Sequence, residues 1–447
     1  MAESPSSTLP EGIFSLLDTD LYKLTMQCCI LKYFPDISVT YSFTNRTPDK
    51  KLNRAAFQWL QAQLEHLSLS DDEFQFLKST CPYLNDEYMT FLSKFRLHPS
   101  KQLKLIFSPT EDTGAASDFG DFRIHTEGLW LDTILYEIPL LALVSEAYFK
   151  FCDKDWSYAG QEEKAYQKGL RLLEEGCIFS EFGTRRRRDH HTQELVLRGL
   201  RRAQAEAAQK GWAGKLTGTS NVHFAMKHDV SPIGTVAHEW FMGVAAITND
   251  YEHANEIGLE YWTSTFGEGV LAIALTDTFG TPAFLKAFKQ PVHKTNKTSK
   301  TYADVFTGVR QDSGDPLDFV RTMRQFYDEQ GVKEKKTIVF SDSLNIDLCL
   351  KYKAAAELQG FQPTFGVGTY LTNDYVSEAT GNKSVPLNIV IKIASASGRH
   401  AVKISDNIGK NTGDQDTVSE VKQRLGYTEK TWIGGNEGTR WGTGTAS

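Results

Sequence analysis

The stretch I-G-T-V-A-H-E-W-F-M-G, residues 233–243, decides the expected fold. An apolar start and a Gly-Thr pair lead to His238, which stands beside Glu239. This order predicts a buried strand that runs out into a loop or helix, with the histidine where the strand ends. The active sites of α/β barrels are built at the carboxyl ends of their strands. His238 is therefore a candidate for the chemistry.

Three further stretches have the same character. They are S-E-F-G-T-R-R-R-R (180–188), V-R-Q-D-S-G-D-P (309–316) and F-G-V-G-T (365–369). Each follows an apolar run and ends in Gly, hydroxyl, Arg or Asp residues. Glycine lets backbone N–H groups approach an oxyanion, and arginine binds phosphate through two parallel hydrogen bonds. We expect these stretches to form a phosphate-binding mouth, with one or two of the four arginines entering it.

The order of helix-like and strand-like segments along the chain predicts an α/β fold in three parts. Residues 1–139 are expected to form an α+β domain whose first ten or so residues are disordered. Residues 140–400 alternate helical segments with short apolar strands, which predicts an α/β barrel. Residues 401–447 are expected to return to the first domain and to fray from about 434. The eight predicted barrel strands are Cys177–Ser180, Lys215–Thr217, Ile233–Val236, Ala272–Thr276, Val305–Val309, Thr337–Phe340, Thr364–Val367 and Asn388–Ile393. The Lys/Thr-rich residues 290–302 are expected to be a mobile surface loop.

Composition excludes several function classes. The 447 residues have a formal net charge of -7 and are 40% hydrophobic, which fits a buried core and argues against a general nucleic-acid or membrane-surface binder. None of the six cysteines has C-x-x-C spacing, so we expect reduced thiols and neither a metal cluster nor a disulfide framework. The polar start lacks an apolar signal core. A cytoplasmic location is expected, and a nuclear pool remains an open alternative.

The stretch at 309–316 gives the sharpest chemical expectation. Arg310, Asp312, Ser313 and Asp315 surround Gly314, and such a cluster can hold a metal–phosphate ensemble, with carboxylates on Mg²⁺ and the arginine on the anion. The alternative is an Asx-turn before a helix that starts with proline, which suits Asp315. The residues by themselves thus indicate a barrel enzyme for a phosphorylated, anionic substrate, with one histidine at its centre.

Eight motifs in order make the chain resemble the nicotinate phosphoribosyltransferase family over roughly residues 12–432, with the fungal form closest. They are L-L-D-T-D-L-Y-K-L-T-M (16–26), S-E-F-G-T-R-R-R (180–187), T-G-T-S-N (217–221), G-T-V-A-H-E-W (234–240), V-R-Q-D-S-G-D-P (309–316), F-S-D-S-L-N (340–345), F-G-V-G-T-Y-L (365–371) and V-K-I-S-D-N (402–407). The resemblance implies the irregular TIM-like barrel of the type II phosphoribosyltransferases with an N-terminal α+β domain. It also implies synthesis of nicotinate mononucleotide and diphosphate from nicotinate and 5-phosphoribosyl 1-diphosphate (PRPP), the first step of NAD salvage from nicotinate.

The same resemblance implies ATP as co-substrate and Mg²⁺ as cofactor, with the ion entering on the substrate diphosphate and no dedicated protein cluster for it. His238 matches the histidine that ATP phosphorylates, and Asp312 and Asp277 are the carboxylates expected beside the reacting sugar. The residues expected at nicotinate are Tyr22, Phe182, Thr235, Arg310 and Ser220. Those expected at the phosphoribosyl and diphosphate groups are Arg185, Asp342, Gly366, Gly368, Thr369 and Lys403.

Three other functions stay open. Nicotinamide phosphoribosyltransferase is the nearest, but that relative has Asp where this chain has Ser220, and a serine that donates to a carboxylate favours nicotinate. A non-catalytic phosphohistidine sensor and an unrelated phospho-sugar barrel enzyme are the others. Neither nucleic acid nor a membrane is an expected partner. Tyr22 could come from a second subunit, which would imply a homodimer, or from the same chain folding back.

Overall fold

The computed structural model describes residues 9, 11–64, 67–292, 300–407 and 411–427. The predicted fraying from about 434, nearly all of the predicted disordered start and the middle of the predicted loop 290–302 lie outside these residues. In the described part of the chain no helix is both long and apolar enough to cross a membrane.

The strands fall into two larger sheets and one short pair. In chain order they are β1 (Ser38–Asn45), β2 (Leu52–Asn53), β3 (Leu103–Pro109), β4 (Phe119–Leu129), β5 (Ile178–Glu181), β6 (Lys215–Thr219), β7 (Ser231–Pro232), β8 (Ile273–Leu275), β9 (Gly308–Gln311), β10 (Thr337–Phe340), β11 (Gln362–Val367), β12 (Tyr375–Val376), β13 (Lys383–Ser384), β14 (Ile389–Ala396) and β15 (Arg399–His400).

The helices connect and cover these sheets. They are α1 (Leu21–Tyr33), α2 (Arg54–Gln61), α3 (Asp71–Thr80), α4 (Asp86–Lys94), α5 (Pro99–Gln102), α6 (Trp130–Thr133), α7 (Glu137–Phe151), α8 (Gln161–Glu174), α9 (His190–Lys210), α10 (Val222–Lys227), α11 (His238–Thr248), α12 (Ala254–Phe266), α13 (Thr281–Phe288), α14 (Tyr302–Val305), α15 (Pro316–Glu329), α16 (Ile346–Leu358), α17 (Thr369–Thr372) and α18 (Gln415–Leu425). Two short 3₁₀ turns, Ile134–Tyr136 and Thr184–Arg186, complete the set.

One half of the molecule is a curled parallel sheet in the order β7-β6-β5-β11-β10-β9-β8, which forms a half-barrel. Its strands are short, and helices cover it as in other parallel sheets. Because the strands are parallel, the residues that follow them all emerge at one edge. The predicted α/β fold class is confirmed, and the second sheet combines N-terminal strands with β14 and β15.

The second sheet is antiparallel, in the order β15-β14-β1-β4-β2 with β3 on β4. Strand β4 alternates exposed and buried residues along most of its length, as expected for a sheet with one face on a core. The predicted barrel strand Asn388–Ile393 was wrong in its placement: β14 pairs antiparallel with β1, for example Ile393 with Tyr41. Its alternating pattern I-V-I-K-I suits a half-buried antiparallel strand better than a strand buried on both faces. The parallel sheet therefore has seven strands in the described residues.

The predicted strands Ile233–Val236 and Val305–Val309 are also wrong in position. The first strand is only Ser231–Pro232, and residues 233–237 run as a loop past the start of α1, where a Cβ on Gly234 would lie 3.2 Å from the Tyr22 backbone nitrogen. Ile233 N–H still donates to the Thr219 carbonyl at 2.8 Å, and the segment then runs against α1. The second strand starts at Gly308, because Thr301 and Asp304 form a capping box that winds residues 302–305 into a helical turn.

A buried ion cluster joins the two sheets. Lys23 on α1 is inaccessible to solvent and pairs with Glu137 on α7, at 2.6 Å, and with Glu239 on α11. Glu239 also accepts hydrogen bonds from the Tyr41 hydroxyl of β1 and the Trp130 indole, at 2.5 and 2.9 Å. Burial by itself would lower the pKa of Lys23, but the two carboxylates raise it. Lys23 is therefore charged and ties α1 to both halves of the molecule.

The substitution Lys23→Met tests this cluster. It leaves two buried carboxylates without their cation, so we expect a loss of about 3–5 kcal/mol in the free energy of unfolding, measured by urea denaturation. The control is Lys32→Met on the exposed side of α1, which should cost less than about 1 kcal/mol. Equal stability of the two variants would contradict a structural role for the cluster.

Candidate active site

Two connected spaces open at the carboxyl edge of the parallel sheet. The polar cleft is lined by residues that include Arg46, Phe182, Arg185, Arg186, His238, Arg310, Asp312, Ser341, Asp342, Gly366, Gly368, Thr369, Lys392 and Lys403. The apolar compartment, about 300 Å³, is lined by residues that include Asp20, Tyr22, Tyr83, Phe182, Arg185, Ser220, Ile233, Thr235, Leu271, Ile273, Arg310 and Val339. Phe182, Arg185 and Arg310 line both and mark the passage between them.

His238 is the first residue of α11, with Ala237 as the N-cap, and lies buried at the wall of the polar cleft. Its Nδ1 lies 3.0 Å from Thr278 Oγ1. Its Nε2 lies 3.0 Å from Asp312 Oδ2 and 2.9 Å from Lys403 Nζ. The imidazole is thus held at both nitrogens between an ammonium and a carboxylate, beside the cleft rather than in packed hydrocarbon.

The charges around His238 set its protonation. Burial lowers the pKa of His238 to about 4 and the Lys403 ammonium adds to this, although Asp277 and Asp312 oppose it. Burial alone would raise the pKa of Asp312, but Arg310 and His238 hold it well below its usual range. At neutral pH the site therefore contains a neutral imidazole beside an ionised carboxylate, and a neutral imidazole is a nucleophile.

Asp277 completes this cluster from the loop after β8. Lys403 Nζ lies 3.2 Å from Asp277 Oδ2, and Asp277 Oδ1 lies 3.8 Å from His238 Nε2. That Oδ1 atom is buried without a hydrogen-bond partner in the described residues. His238, Asp277 and Asp312 each offer a ligand atom within 4.8 Å of one another, and buried carboxylate oxygens of this kind suit Mg²⁺. Lys403 already brings a positive charge to the same position.

Phe182 depends on a glycine beneath its ring. A Cβ on Gly366 would lie 2.3 Å from Phe182 Cδ2, so only glycine leaves room for the ring at this point. Gly368 lies close to the Phe182 carbonyl, and both glycines line the polar cleft with Thr369. The F-G-V-G-T stretch thus seats an aromatic wall and presents backbone beside the cleft.

The arginine run divides into two pairs. Arg185 and Arg186 line the polar cleft, which matches the expectation of one or two arginines. Arg187 is fully buried and makes two hydrogen bonds of 2.8 Å to the carboxylate of Asp18. Arg188 is also buried, with its guanidinium carbon 3.6 Å from the centroid of the Phe149 ring. The second pair is structural, and spacing alone could not separate it from the first.

The apolar compartment collects all five residues predicted for nicotinate: Tyr22, Phe182, Thr235, Arg310 and Ser220. Tyr22 is supplied by the same chain as Phe182. The Leu21 backbone N–H donates to the Ser220 carbonyl at 2.8 Å, which holds the start of α1 against the loop after β6. The role expected of the Ser220 hydroxyl differs from what the structure shows, because that hydroxyl donates to Asp20 Oδ1 at 2.8 Å. The two arginines are then the positive groups that an anionic ring substituent would meet.

Residues that were not predicted from the sequence also line these spaces, among them Arg46, Lys392, Asp20 and Tyr83. The first two enter from the antiparallel sheet side, at the end of β1 and on β14, and burial lowers the pKa of Lys392 to about 8. Lys392 could have been noticed as a lone cation in an apolar strand. Tyr83 lies between α3 and α4, and nothing in its local pattern indicates a site.

Comparison with known proteins agrees with this geometry. The model of the nicotinate phosphoribosyltransferase (NAPRTase) family matches residues 177–429, and that of its N-terminal domain matches 17–145. Nicotinate phosphoribosyltransferase of Saccharomyces cerevisiae is 46% identical over 96% of this chain and 99% of its own length, and that of Methanosarcina mazei is 38% identical over 93% and 98%. The crystal structure of the Porphyromonas gingivalis nicotinate phosphoribosyltransferase superposes with a TM-score of 0.80 at 32% identity, covering 93% of this chain and 100% of that one. The chain belongs to the nicotinate phosphoribosyltransferase family.

Proposed function

We propose that this protein joins nicotinate to PRPP, giving nicotinate mononucleotide and diphosphate, and couples the reaction to ATP hydrolysis through phosphorylated His238. In this role it would catalyse the first step of NAD salvage from nicotinate. The observation that carries the proposal is the passage at Phe182, Arg185 and Arg310, where an aromatic, arginine-lined compartment opens onto a polar cleft with a neutral histidine.

The apolar compartment suits the pyridine ring. Tyr22 and Phe182 offer aromatic faces, and stacking on such rings contributes about 0.5–1.5 kcal/mol per pair. Arg310 and Arg185 supply positive charge for the ring carboxylate, and charge-assisted hydrogen bonds of this kind are about twice as strong as neutral ones. For the reaction, the ring nitrogen must face the polar cleft through the passage at Phe182.

The polar cleft suits PRPP. Arg46, Arg185, Lys392 and Lys403 offset the charges of its phosphate groups, and the backbone near Gly366 offers N–H donors. The pyridine nitrogen attacks C1 of the sugar while the bond from C1 to the diphosphate oxygen breaks and the diphosphate takes the electron pair. Positive charge develops on the sugar, and the carboxylates of Asp312 and Asp277 can stabilise it.

Mg²⁺ would enter with the diphosphate, and Asp312 and Asp277 are the carboxylates that would contact it. The ion would neutralise charge on the leaving diphosphate.

His238 would couple ATP to this step. For this step the imidazole proton would have to be on Nδ1, directed to Thr278, and Lys403 would have to release the Nε2 electron pair, which could then attack the γ-phosphorus of ATP. A bond from nitrogen to phosphorus forms, the phosphorus–oxygen bond to ADP breaks, and ADP leaves with that electron pair. The phosphoryl group adds a charge near -2 beside Lys403. We propose that this charge orders the diphosphate site and that hydrolysis after product formation relaxes it.

One observation favours nicotinamide as a second candidate substrate. Asp20 lines the apolar compartment, and a carboxylate can accept a hydrogen bond from an amide NH₂. Its Oδ1 already accepts from Ser220, however, and burial raises its pKa although Arg185 opposes this. Arg185 and Arg310 carry positive charge in the same compartment, which favours nicotinate over nicotinamide.

Competing the acid with the amide tests substrate choice. We expect kcat/KM for nicotinate to exceed that for nicotinamide, and Arg310→Met to reduce this preference about 10- to 100-fold, since a hydrogen bond to a charged group contributes about 1.5–3 kcal/mol. Arg46→Met is the matched control: Arg46 lines the polar cleft and is not among the residues lining the apolar compartment, so turnover of acid and amide should fall alike. A preference for nicotinamide in the unmodified protein would overturn the choice of the acid.

The substitution His238→Ala tests the coupling. The variant should take no phosphate from γ-labelled ATP and should lose ATP stimulation, while a slow ATP-independent transfer remains. Both rates can be measured as nicotinate mononucleotide formed with and without ATP. His125→Ala, on an exposed part of β4, is the control and should behave like the unmodified protein. Full ATP stimulation in His238→Ala would remove the phosphohistidine from the proposal.

A further inference from the structure

Ser313 is a buried hydroxyl at which three segments meet. It follows Asp312 in the chain and is 2% exposed. Its Oγ donates to Asp277 Oδ2 at 2.5 Å, and it accepts from Ser405 Oγ at 2.9 Å and from the Asp406 backbone N–H at 3.0 Å. The donor directions are fixed, because Asp406 N–H can only donate and an ionised carboxylate can only accept. The one proton and both lone pairs of the Ser313 hydroxyl are therefore all engaged in hydrogen bonds.

The first of these bonds orients Asp277. With Oδ2 bound by Ser313 and Lys403, the other oxygen is the one that lies 3.8 Å from His238 Nε2 and has no hydrogen-bond partner in the described residues. Turning the plane of the carboxylate by about a quarter turn would break the contact with Ser313. The hydroxyl therefore fixes the plane of the carboxylate and keeps one oxygen toward the imidazole.

The other two bonds hold the segment that carries Lys403. Residues 403–406 lie outside both main sheets. Their further ties include backbone bonds from Ile404 N–H to the Thr278 carbonyl at 2.8 Å and between Lys403 and Thr412 at 2.9 Å, and a bond from the Tyr427 hydroxyl to the Ser405 carbonyl at 2.8 Å. Asp406 also accepts from the Thr281 backbone N–H at 2.7 Å. Ser313 joins this segment to the loop after β9. Ser313 is thus one of the contacts that fix the segment carrying Lys403, whose Nζ lies 2.9 Å from His238 Nε2.

We propose that Ser313 is a positioning residue for phosphorylation of His238: its hydroxyl sets the Asp277 carboxylate and the Lys403 ammonium around the imidazole at the same time. This inference rests on the proposed function. Ser313 lines neither the polar cleft nor the apolar compartment among the described residues, so it acts through its neighbours and not on the substrate. Small displacements of reacting groups can cost about 100-fold in rate, which sets the size of the expected effect.

The test is Ser313→Ala, assayed for two quantities in the full-length protein. The rate of phosphate transfer from γ-labelled ATP to His238 should fall about 10- to 100-fold. The KM for nicotinate in ATP-independent transfer should stay within about twofold, since Ser313 does not line the apolar compartment. Ser313→Thr keeps the hydroxyl and should recover most of the phosphorylation rate. If Ser313 only stabilised the fold, Ser313→Ala would change the phosphorylation rate and the KM for nicotinate together.

The control is Ser145→Ala, which removes another buried hydroxyl, one that donates to the Arg187 carbonyl at 2.5 Å. It should leave the phosphorylation rate near that of the unmodified protein even if the melting temperature falls. An unchanged rate in Ser313→Ala, or an equal loss in Ser145→Ala, would overturn the inference.

If Ser313→Ala does not fold, Ser405→Ala decides. It removes one of the three bonds and should slow phosphorylation about 3- to 10-fold, and an unchanged rate would again overturn the inference. Failure of the proposed function looks different, because then the unmodified protein itself takes no phosphate from ATP.

Discussion

The pairing of Lys23 with Glu137 and Glu239 is the constraint on which the relation of the two sheets depends. An ammonium taken fully out of water is tolerated only when anions and hydrogen bonds replace its hydration. Here the anions come from α7 and α11. Tyr41 and Trp130 both donate to Oε1 of Glu239, and Lys23 contacts its Oε2. Because His238 is the residue before Glu239, the same cluster that joins the halves also fixes the start of the helix that carries the imidazole.

The site is therefore built from both halves and not from the parallel sheet alone. The half-barrel provides His238, Arg310 and the loop at Gly366, all at one edge. The antiparallel side adds Lys392 on β14, and the segment after β15 adds Lys403. The cations that can offset phosphate charge thus come from strands and segments far apart in the sequence.

The predictions from sequence were correct where a local pattern is compatible with only one type of structural element. Short apolar runs followed by polar residues located β5, β6, β8, β10 and β11 to within a few residues, and the carboxyl-edge rule placed His238 beside Asp312 and Arg310. The predictions were wrong where contacts between distant parts of the chain determine how a segment pairs. Strand β14 has the hydrophobicity of a barrel strand but finds its partner in β1, about 350 residues earlier. The hydroxyl of Ser220 looks free to donate until Asp20 is placed beside it.

The buried charged groups around His238, which are Lys403, Asp277 and Asp312, together set the protonation of its ring. Desolvation and Lys403 keep the ring neutral, while Asp277 and Asp312 keep Lys403 paired. Adding a phosphoryl dianion to such a ring would reverse the local sign, and the nearby ammonium would gain a stronger partner than a neutral nitrogen. His238 lies between the Lys403 ammonium and two carboxylates, so a change in the charge of its ring would strengthen its attraction to one and its repulsion from the others. That sensitivity is what a phosphorylated intermediate needs if it is to alter the affinity of the adjacent cleft for diphosphate.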